Sequence, residues 1–175
     1  KRGLAAFAEQ IRMRFDATPP PDDDTTRVPG YARRRWGGAL KTVLATQRTI
    51  DAYIELCEQT ELKGEDCLTL AKLYKRRRRP EYALSWAERG LRIAHADGRY
   101  SSAEHELQDM KRQLLCKIGR GDDARASAWA EFVKSPHTYT YKELMRYVPA
   151  KQKGAWHKKA MIASEKASLS SQIEL

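Results

Sequence analysis

Two clusters of arginine are the residues of this chain whose types and spacing best suit contact with a ligand. The first basic run covers residues 33–36 and reads Arg-Arg-Arg-Trp, and the second covers residues 75–79 and reads Lys-Arg-Arg-Arg-Arg. Guanidinium groups neutralise phosphates and release counterions, and a tryptophan ring offers a face for base stacking. Both runs lie within residues 27–80, where 13 Lys and Arg residues outnumber 6 Asp and Glu residues.

Three interpretations of these runs stay open on the sequence alone. The runs bind nucleic acid, they bind an acidic protein partner, or they are solvated turns between helices, which is the most common role of such runs. For Trp36, a role as a core anchor competes with stacking on a base. The residues predicted to contact a partner or nucleic acid are Arg33, Arg34, Arg35, Trp36, Lys75, Arg76, Arg77, Arg78 and Arg79.

Residue types that perform catalysis do not occur at catalytic spacings. The four histidines form no His-Glu-x-x-His motif, no glycine-rich phosphate loop is present, and no serine has a Gly-x-Ser-x-Gly context. The Gly-Arg-Gly string at residues 119–121 is explained as a turn between helices. We therefore expect a protein that is not an enzyme and that has no metal site and no cofactor.

The composition limits the class of protein further. The chain has 175 residues, a formal net charge of +10 and 41% hydrophobic residues, which is enough apolar material for a core. It has no long apolar run of the kind that spans a membrane, so we expect no membrane interaction. Cys57, Cys67 and Cys116 form no CxxC pair, which favours reduced thiols and a cytoplasmic location.

The distribution of apolar residues predicts four segments. Residues 1–15 form an N-terminal helix, and residues 16–30, rich in proline and aspartate, form a linker because prolines interrupt helices and adjacent aspartates repel one another. Residues 31–167 form a helical domain, and residues 168–175 form a C-terminal tail. The chain begins at Lys1 without an initiator methionine, so we expect a processed chain or part of a longer polypeptide.

Helical spacing of apolar residues dominates the predicted domain. Residues 36–60 follow that spacing with a break near residues 46–51, and residues 66–78 and 80–96 form the next two helices. Later helices contain Leu107 to Ile118, Ala126 to Val133, and Leu144 to Val148, and a last helix opens near Trp156. The only strand-like segment, residues 138–141, is too short to build a sheet. The predicted fold is all-α, in antiparallel pairs.

Capping patterns locate the predicted helix starts. Ser101 with Glu104, and Thr140 with Glu143, have the spacing of a capping box, in which the two side chains satisfy each other's free backbone N–H groups. Asp122 is predicted to cap the helix that follows the Gly-Arg-Gly turn.

An internal repeat with a shift of 41 residues supports the pairing of helices. This shift superimposes Leu73-Tyr74 on Leu114-Leu115, Ala83 on Ala124, Ala87 on Ala128, and Leu91 on Phe132. Each unit is predicted to be a helix, a tight turn and a second helix, with small residues where the second helix crosses the first.

The first copy of this repeat resembles a tetratricopeptide repeat. Its Leu70-Ala71-x-x-Tyr74-x₈-Ala83-x₃-Ala87-x₂-Gly90 pattern follows that family's order of large, small and aromatic residues, and Gly121-Asp-Asp-Ala124 is similar to its inter-helix turn. The resemblance implies stacked antiparallel hairpins that form a short right-handed α-solenoid.

A second resemblance is to helical-repeat regions of bacterial proteins of unknown function, some of them attached to SWIM-type zinc fingers. It rests on three motifs, Asp51-Ala-Tyr-Ile54, Tyr82-Ala-Leu-Ser-Trp86 and Trp129-Ala-Glu-Phe132-x-x-Ser135-Pro136. Both resemblances imply a binding role.

The expected function is therefore that of a protein-interaction module, a scaffold or adaptor, with a basic groove that favours acidic partners. The alternative is a basic helical domain that binds nucleic acid. Self-association, or packing on a further domain, is a third possibility, because Leu169, Ile173 and Leu175 place apolar side chains near the C-terminus.

Overall fold

The computed structural model describes residues 2–18, 27–97 and 102–173, and within these ranges the chain is all-α, as predicted. The described ranges contain nine α-helices, one short 3₁₀ helix and no strand. Their bounds are α1 Arg2–Asp16, α2 Arg27–Gln47, α3 Ile50–Glu58, α4 Gly64–Arg76, α5 Pro80–Asp97, α6 Ser102–Lys117, α7 Gly121–Lys134, α8 Thr138–Arg146, the 3₁₀ helix Ala150–Gln152 and α9 Lys153–Ile173.

The chain divides into two compact units, Lys1–Glu104 and His105–Leu175, so the predicted domain 31–167 contributes residues to both. Helix α2 begins at Arg27, inside the segment 16–30 that the sequence predicts as a linker. The side chains of Leu169, Ile173 and Leu175, the capping residue Ser101 and most of the proline- and aspartate-rich segment lie outside the described residues.

The core of the first unit is formed by α1, α2, α3 and α4. Buried apolar residues at helical spacing contribute to it, among them Phe15 from α1, Leu40 from α2, Leu56 from α3 and Leu70 from α4. Gly37 lies against the ring of Phe15: a Cβ at this position would be 3.3 Å from the Phe15 Cε2 atom. The glycine therefore allows α2 to pack closely on α1.

Helices α4 and α5 form a hairpin in the same unit, as the sequence predicts. Small buried residues of α5, Ala83 and Ala87, let the two helix backbones approach. The start of α4 also lies close to α5, because a Cβ on Gly64 would be 3.7 Å from the backbone oxygen of Gly90.

The second unit has its own apolar cluster, which α7, α8 and α9 form. Ala128 and Phe132 from α7, Leu144 from α8 and Ala160 from α9 are buried in it. The ring of Trp129 packs edge-on against that of Trp156, with 5.5 Å between the ring centroids. Aromatic residues thus fill the space between helices whose buried positions are mainly small or aliphatic.

The residue pairs of the predicted 41-residue repeat lie at buried or half-buried positions in both copies. The turns match as well. Arg78 and Gly119 both have a positive φ, of 57° and 83°. The N–H of Arg79 bonds to the oxygen of Tyr74, and the N–H of Arg120 bonds to that of Leu115. Together with the bonds from the N–H groups of Arg78 and Gly119, these are the bonds of a Schellman motif.

A third turn, between α2 and α3, has the same geometry and was not predicted as part of the repeat. Arg48 has a φ of 60°, its N–H bonds to the oxygen of Ala45, and the N–H of Thr49 bonds to that of Leu44. The break predicted near residues 46–51 is therefore a helix–turn–helix connection of the type that follows α4 and α6.

Two predicted caps are wrong. Asp122 lies in the first turn of α7, after the capping residue Arg120, and its carboxylate accepts a bond from Arg125. Thr140 does not begin a helix with Glu143, because α8 begins at Thr138, three residues before the position that the predicted box requires for its start. Instead, the Thr140 hydroxyl accepts a bond from the backbone N–H of His137, which is the residue that caps α8.

Candidate functional site

The first basic run lies on α2, and its first arginine holds α1 in place. The Arg33 side chain donates a hydrogen bond of 2.6 Å to the backbone oxygen of Thr18 and lies 4.2 Å above the centroid of the Phe15 ring. Trp36 is half-buried against the core, and the guanidinium groups of Arg14 and Arg35 lie over its ring. This position suits packing better than stacking on a ligand.

A groove runs along α2, between this helix and the start of α4. It consists of two adjoining cavities of about 470 Å³ and about 700 Å³, which share Gly38, Lys41, Glu65 and Asp66 in their walls. We call this feature the α2 groove. All of its lining residues belong to the first unit.

The wall shared by the two cavities contains a buried polar network centred on Asp66, the third residue of α4. The Lys41 Nζ atom donates to Asp66 Oδ2 over 2.7 Å, and the hydroxyl of Tyr53 donates to Oδ1 over 3.0 Å. The backbone N–H of Lys63 also donates to Oδ2, over 3.0 Å. One carboxylate thereby joins α2, α3 and the start of α4, and its charge is compensated by Lys41.

Burial controls the ionisation of the side chains around this network. Desolvation and the nearby Asp66 carboxylate raise the pKa of the Tyr53 hydroxyl, so it stays protonated and serves as a donor. Desolvation first, and then Asp66, raises the pKa of the Cys57 thiol to about 11. The pKa of the Cys67 thiol also rises to about 11, mainly through desolvation. Both thiols are therefore poor nucleophiles at neutral pH.

Gly38 lies in the interior of α2 and lines both cavities. A Cβ at this position would meet no heavy atom within 4 Å, so packing does not require the glycine. A glycine inside a helix costs about 0.5–1 kcal/mol relative to alanine. The missing side chain leaves the centre of the α2 groove open.

Cations line both ends of the α2 groove. Arg34 and Lys63 line the smaller cavity, together with Arg33, and Arg48 and Arg76 line the larger one. Six cationic residues thus line the groove, against the three acidic residues Glu61, Glu65 and Asp66. Two residues of the first basic run, Arg33 and Arg34, and one residue of the second, Arg76, therefore line the same groove.

Lys75 of the second basic run lies in the last turn of α4, and Arg77, Arg78 and Arg79 form the turn between α4 and α5. Arg77 donates a hydrogen bond of 2.9 Å to the backbone oxygen of Arg48, and Arg78 is the left-handed residue of the turn. Arg77 and Arg79 line an open cavity of about 590 Å³ together with Tyr74 and Tyr82. Arg77, Arg78 and Arg79 are exposed in this turn, which presents aromatic rings beside its arginines.

A second polar network lies in the second unit. The fully buried guanidinium of Arg112, on α6, forms an ion pair with Glu131 of α7 and bonds to the Ser127 hydroxyl over 3.4 Å. Asp109 lies 3.6 Å from the same guanidinium. Arg112 thereby joins α6 to α7.

The histidines do not assemble a metal site. His105 shares a hydrogen bond with the Tyr139 hydroxyl, and His157 shares one with the Tyr141 hydroxyl. Within the described parts of the chain, no group of three or more His, Cys, Asp or Glu side chains is arranged to hold a metal ion.

These observations define an all-α protein built from helical hairpins, with a polar groove in its first unit. No family model matches the chain, and neither a curated protein nor a solved structure matches it. Among the described helices, none combines the length and the apolar character that a membrane span requires.

Sequence reasoning missed the residues that form the α2 groove. Lys41, Tyr53 and Asp66 come from three different helices, and no motif connects them. Gly38 did leave a signal, because the pair Gly37-Gly38 interrupts a helical pattern and such glycines often have a packing or functional reason. Tyr82 was noted only within a resemblance motif.

Proposed function

We propose that this chain is a non-catalytic protein-interaction module of the tetratricopeptide-like type, and that its α2 groove binds an acidic segment of a partner protein. The single observation that carries the proposal is Gly38. It keeps the groove open at a cost in helix stability, although no neighbouring atom requires a glycine there.

The charges around the groove support an acidic ligand. Arg34 and Lys63 at one end, and Arg48 and Arg76 at the other, are exposed, and their charges are complementary to an anionic chain laid along α2. Complementary charge steers encounter and sets specificity.

The repeated Schellman turns support the tetratricopeptide-like part of the proposal. Turns centred on Arg48, Arg78 and Gly119 each connect two helices without an intervening loop, which is how helical-repeat proteins build their units. The thiols of Cys57, Cys67 and Cys116 are all free, which supports a reducing compartment such as the cytoplasm.

The experiment compares binding of a fluorescein-labelled oligoglutamate peptide to the full chain and to Gly38→Leu, by fluorescence anisotropy. The leucine side chain enters the groove where the Cβ has free space, so the variant should fold and lose peptide binding. Arg34→Glu should also weaken binding, because it places a negative charge where the peptide approaches. Wild-type binding should be weaker at about 200 mM than at about 50 mM salt, because salt screens charges.

Gly154→Leu is the matched control. Gly154 is a second helix glycine with no heavy atom within 4 Å of a Cβ position, but it lies in α9 of the second unit and is not a lining residue of the α2 groove. It should leave peptide binding unchanged. The proposal would be refuted if Gly38→Leu bound the peptide as well as the wild type, or if an oligoglutamine peptide bound equally well.

A further inference from the structure

We propose a second binding site, at the turn between α4 and α5, that takes a segment of single-stranded nucleic acid. In this site a base stacks on Tyr82, and Arg77 and Arg79 contact the neighbouring phosphates. This cavity shares no lining residue with the α2 groove, so substitutions of Tyr82 and of Gly38 test the two proposals separately.

The tyrosine pair provides the stacking platform. The rings of Tyr74 and Tyr82 lie nearly parallel, at an interplanar angle of 16°, with 5.4 Å between their centroids. Tyr74 is half-buried and supports the pair from below, whereas Tyr82 is 58% exposed. A supported ring with an open face resembles the aromatic platforms on which successive bases of a single strand stack.

The arginines of the turn provide the phosphate contacts. Arg76, Arg77, Arg78 and Arg79 are all exposed, and Arg77 and Arg79 line the cavity of about 590 Å³ beside the two tyrosines. The hydrogen bond from Arg77 to the Arg48 backbone oxygen fixes one of these side chains in place. The residues described in the wall of this cavity include no carboxylate that would repel a phosphate.

The number of charges favours a nucleic acid over a single phosphorylated side chain. Two arginines in one cavity, Arg77 and Arg79, with the exposed Arg78 between them, match a ligand with a charge on every unit, whereas a phosphotyrosine carries one phosphate. A single strand is favoured over a duplex because the bases of a duplex already stack on one another and are not free to cover Tyr82.

The first basic run is less suited to base stacking than this site. The Trp36 ring is half-buried and has the guanidinium groups of Arg14 and Arg35 over it, so its faces are largely occupied. Among the aromatic residues of the two basic regions, Tyr82 combines an exposed ring with arginines in the same cavity.

The test measures anisotropy of a labelled single-stranded oligothymidylate, and of a duplex, with the full chain at about 50 mM and about 200 mM salt. Tyr82→Ala should lower the affinity for the single strand about fivefold to a hundredfold, because one stacked base is lost. Tyr82→Phe keeps the ring and should bind as the wild type does. Arg79→Ser should reduce the salt slope by about 0.7.

Tyr31→Ala is the matched control, since Tyr31 is 64% exposed and lies near the first basic run. It should not change the affinity, and neither should Gly38→Leu. Thermal unfolding by circular dichroism should show that Tyr82→Ala remains folded under the assay conditions.

Several results would overturn the proposal. The first is that the single strand does not bind at about 50 mM salt. The second is that Tyr82→Ala binds the single strand with unchanged affinity. The third is that Tyr31→Ala, and not Tyr82→Ala, lowers this affinity. If Tyr82→Ala lost equal affinity for the single strand and for the duplex, binding would depend on charge alone and not on stacking. Displacement of the oligonucleotide by a phosphotyrosine peptide of equal affinity would assign the site to a phosphorylated protein.

Discussion

Arg78 and Gly119 occupy the same position in two turns that lie 41 residues apart, one in each unit of the chain. Each has a positive φ, and each is followed by a residue whose N–H closes a bond back to the helix and whose oxygen begins the next helix. A glycine adopts this conformation without strain, but an arginine does not. The first turn is therefore built with a residue that is not optimal for it.

Arg78→Gly should raise the free energy of unfolding by about 0.5–1 kcal/mol, because it relieves the left-handed strain at a small cost in chain entropy. Gly119→Ala should lower the free energy of unfolding by about 1 kcal/mol, because alanine is strained in the left-handed conformation. Urea unfolding followed by circular dichroism measures both values. If Arg78→Gly destabilised the protein, the Schellman geometry of this turn would be wrong.

Asp66→Asn should destabilise the first unit by about 2–4 kcal/mol, because it leaves the mostly buried Lys41 ammonium without its counter-charge. The asparagine still bonds to Tyr53 or to the Lys63 backbone, which limits the loss. Urea unfolding measures the change. The matched control is Glu61→Gln, which removes an exposed ion pair of 3.9 Å and should cost less than about 1 kcal/mol. Equal effects of the two variants would contradict the importance of the network.

Arg112→Ala should destabilise the second unit by about 2–4 kcal/mol, because it removes a fully buried side chain and leaves Glu131 without its partner. A triple variant, Arg112→Met with Glu131→Leu and Asp109→Asn, should recover most of this loss, since apolar residues of similar volume often replace a buried ion pair and the Asp109 carboxylate also pairs with the guanidinium. Arg120→Ala is the control. Its ion pair with Asp123 is exposed, and the change should cost less than about 1 kcal/mol.

Cys116 should react with iodoacetamide in the folded protein far faster than Cys57 and Cys67. Cys116 is exposed, whereas the other two thiols are buried and their pKa values are raised to about 11, so little reactive thiolate forms. Mass spectrometry of the alkylated peptides measures the three rates, and in denaturant the three should converge. Fast labelling of Cys67 in the folded state would contradict its burial.

The same two thiols should make the protein less stable at high pH. As the pH rises from 9 to 11, the unfolded chain loses protons from thiols with a pKa near 9.0, while the folded chain keeps them because its thiol pKa values are about 11. The unfolded state then binds fewer protons, so the free energy of unfolding falls with pH. In a variant with Cys57→Ala and Cys67→Ala, urea unfolding should show a smaller fall.

The helices and two of the hairpins were predictable from the sequence. The apolar spacing in α4 and α5, the small residues Ala83 and Ala87, and the 41-residue shift depend on helix geometry and local packing, which neighbouring residues determine. The start of α8 was missed because the Thr140 hydroxyl bonds to the backbone N–H of His137 and to the oxygen of Ser135. Its role depended on the conformation of the preceding turn.

The α2 groove depended on the tertiary structure. Lys41, Tyr53 and Asp66 are separated in sequence and meet only when three helices pack, because a buried carboxylate requires both a counter-charge and donors around it. The stacking of Tyr82 on Tyr74 and the contact of the Arg14 guanidinium with the Trp36 ring also depend on helix packing. The sequence by itself determined where helices form and which faces are apolar. Only the packing of those helices decided which charges share a groove and which rings stay open, because these properties belong to contacts between distant residues.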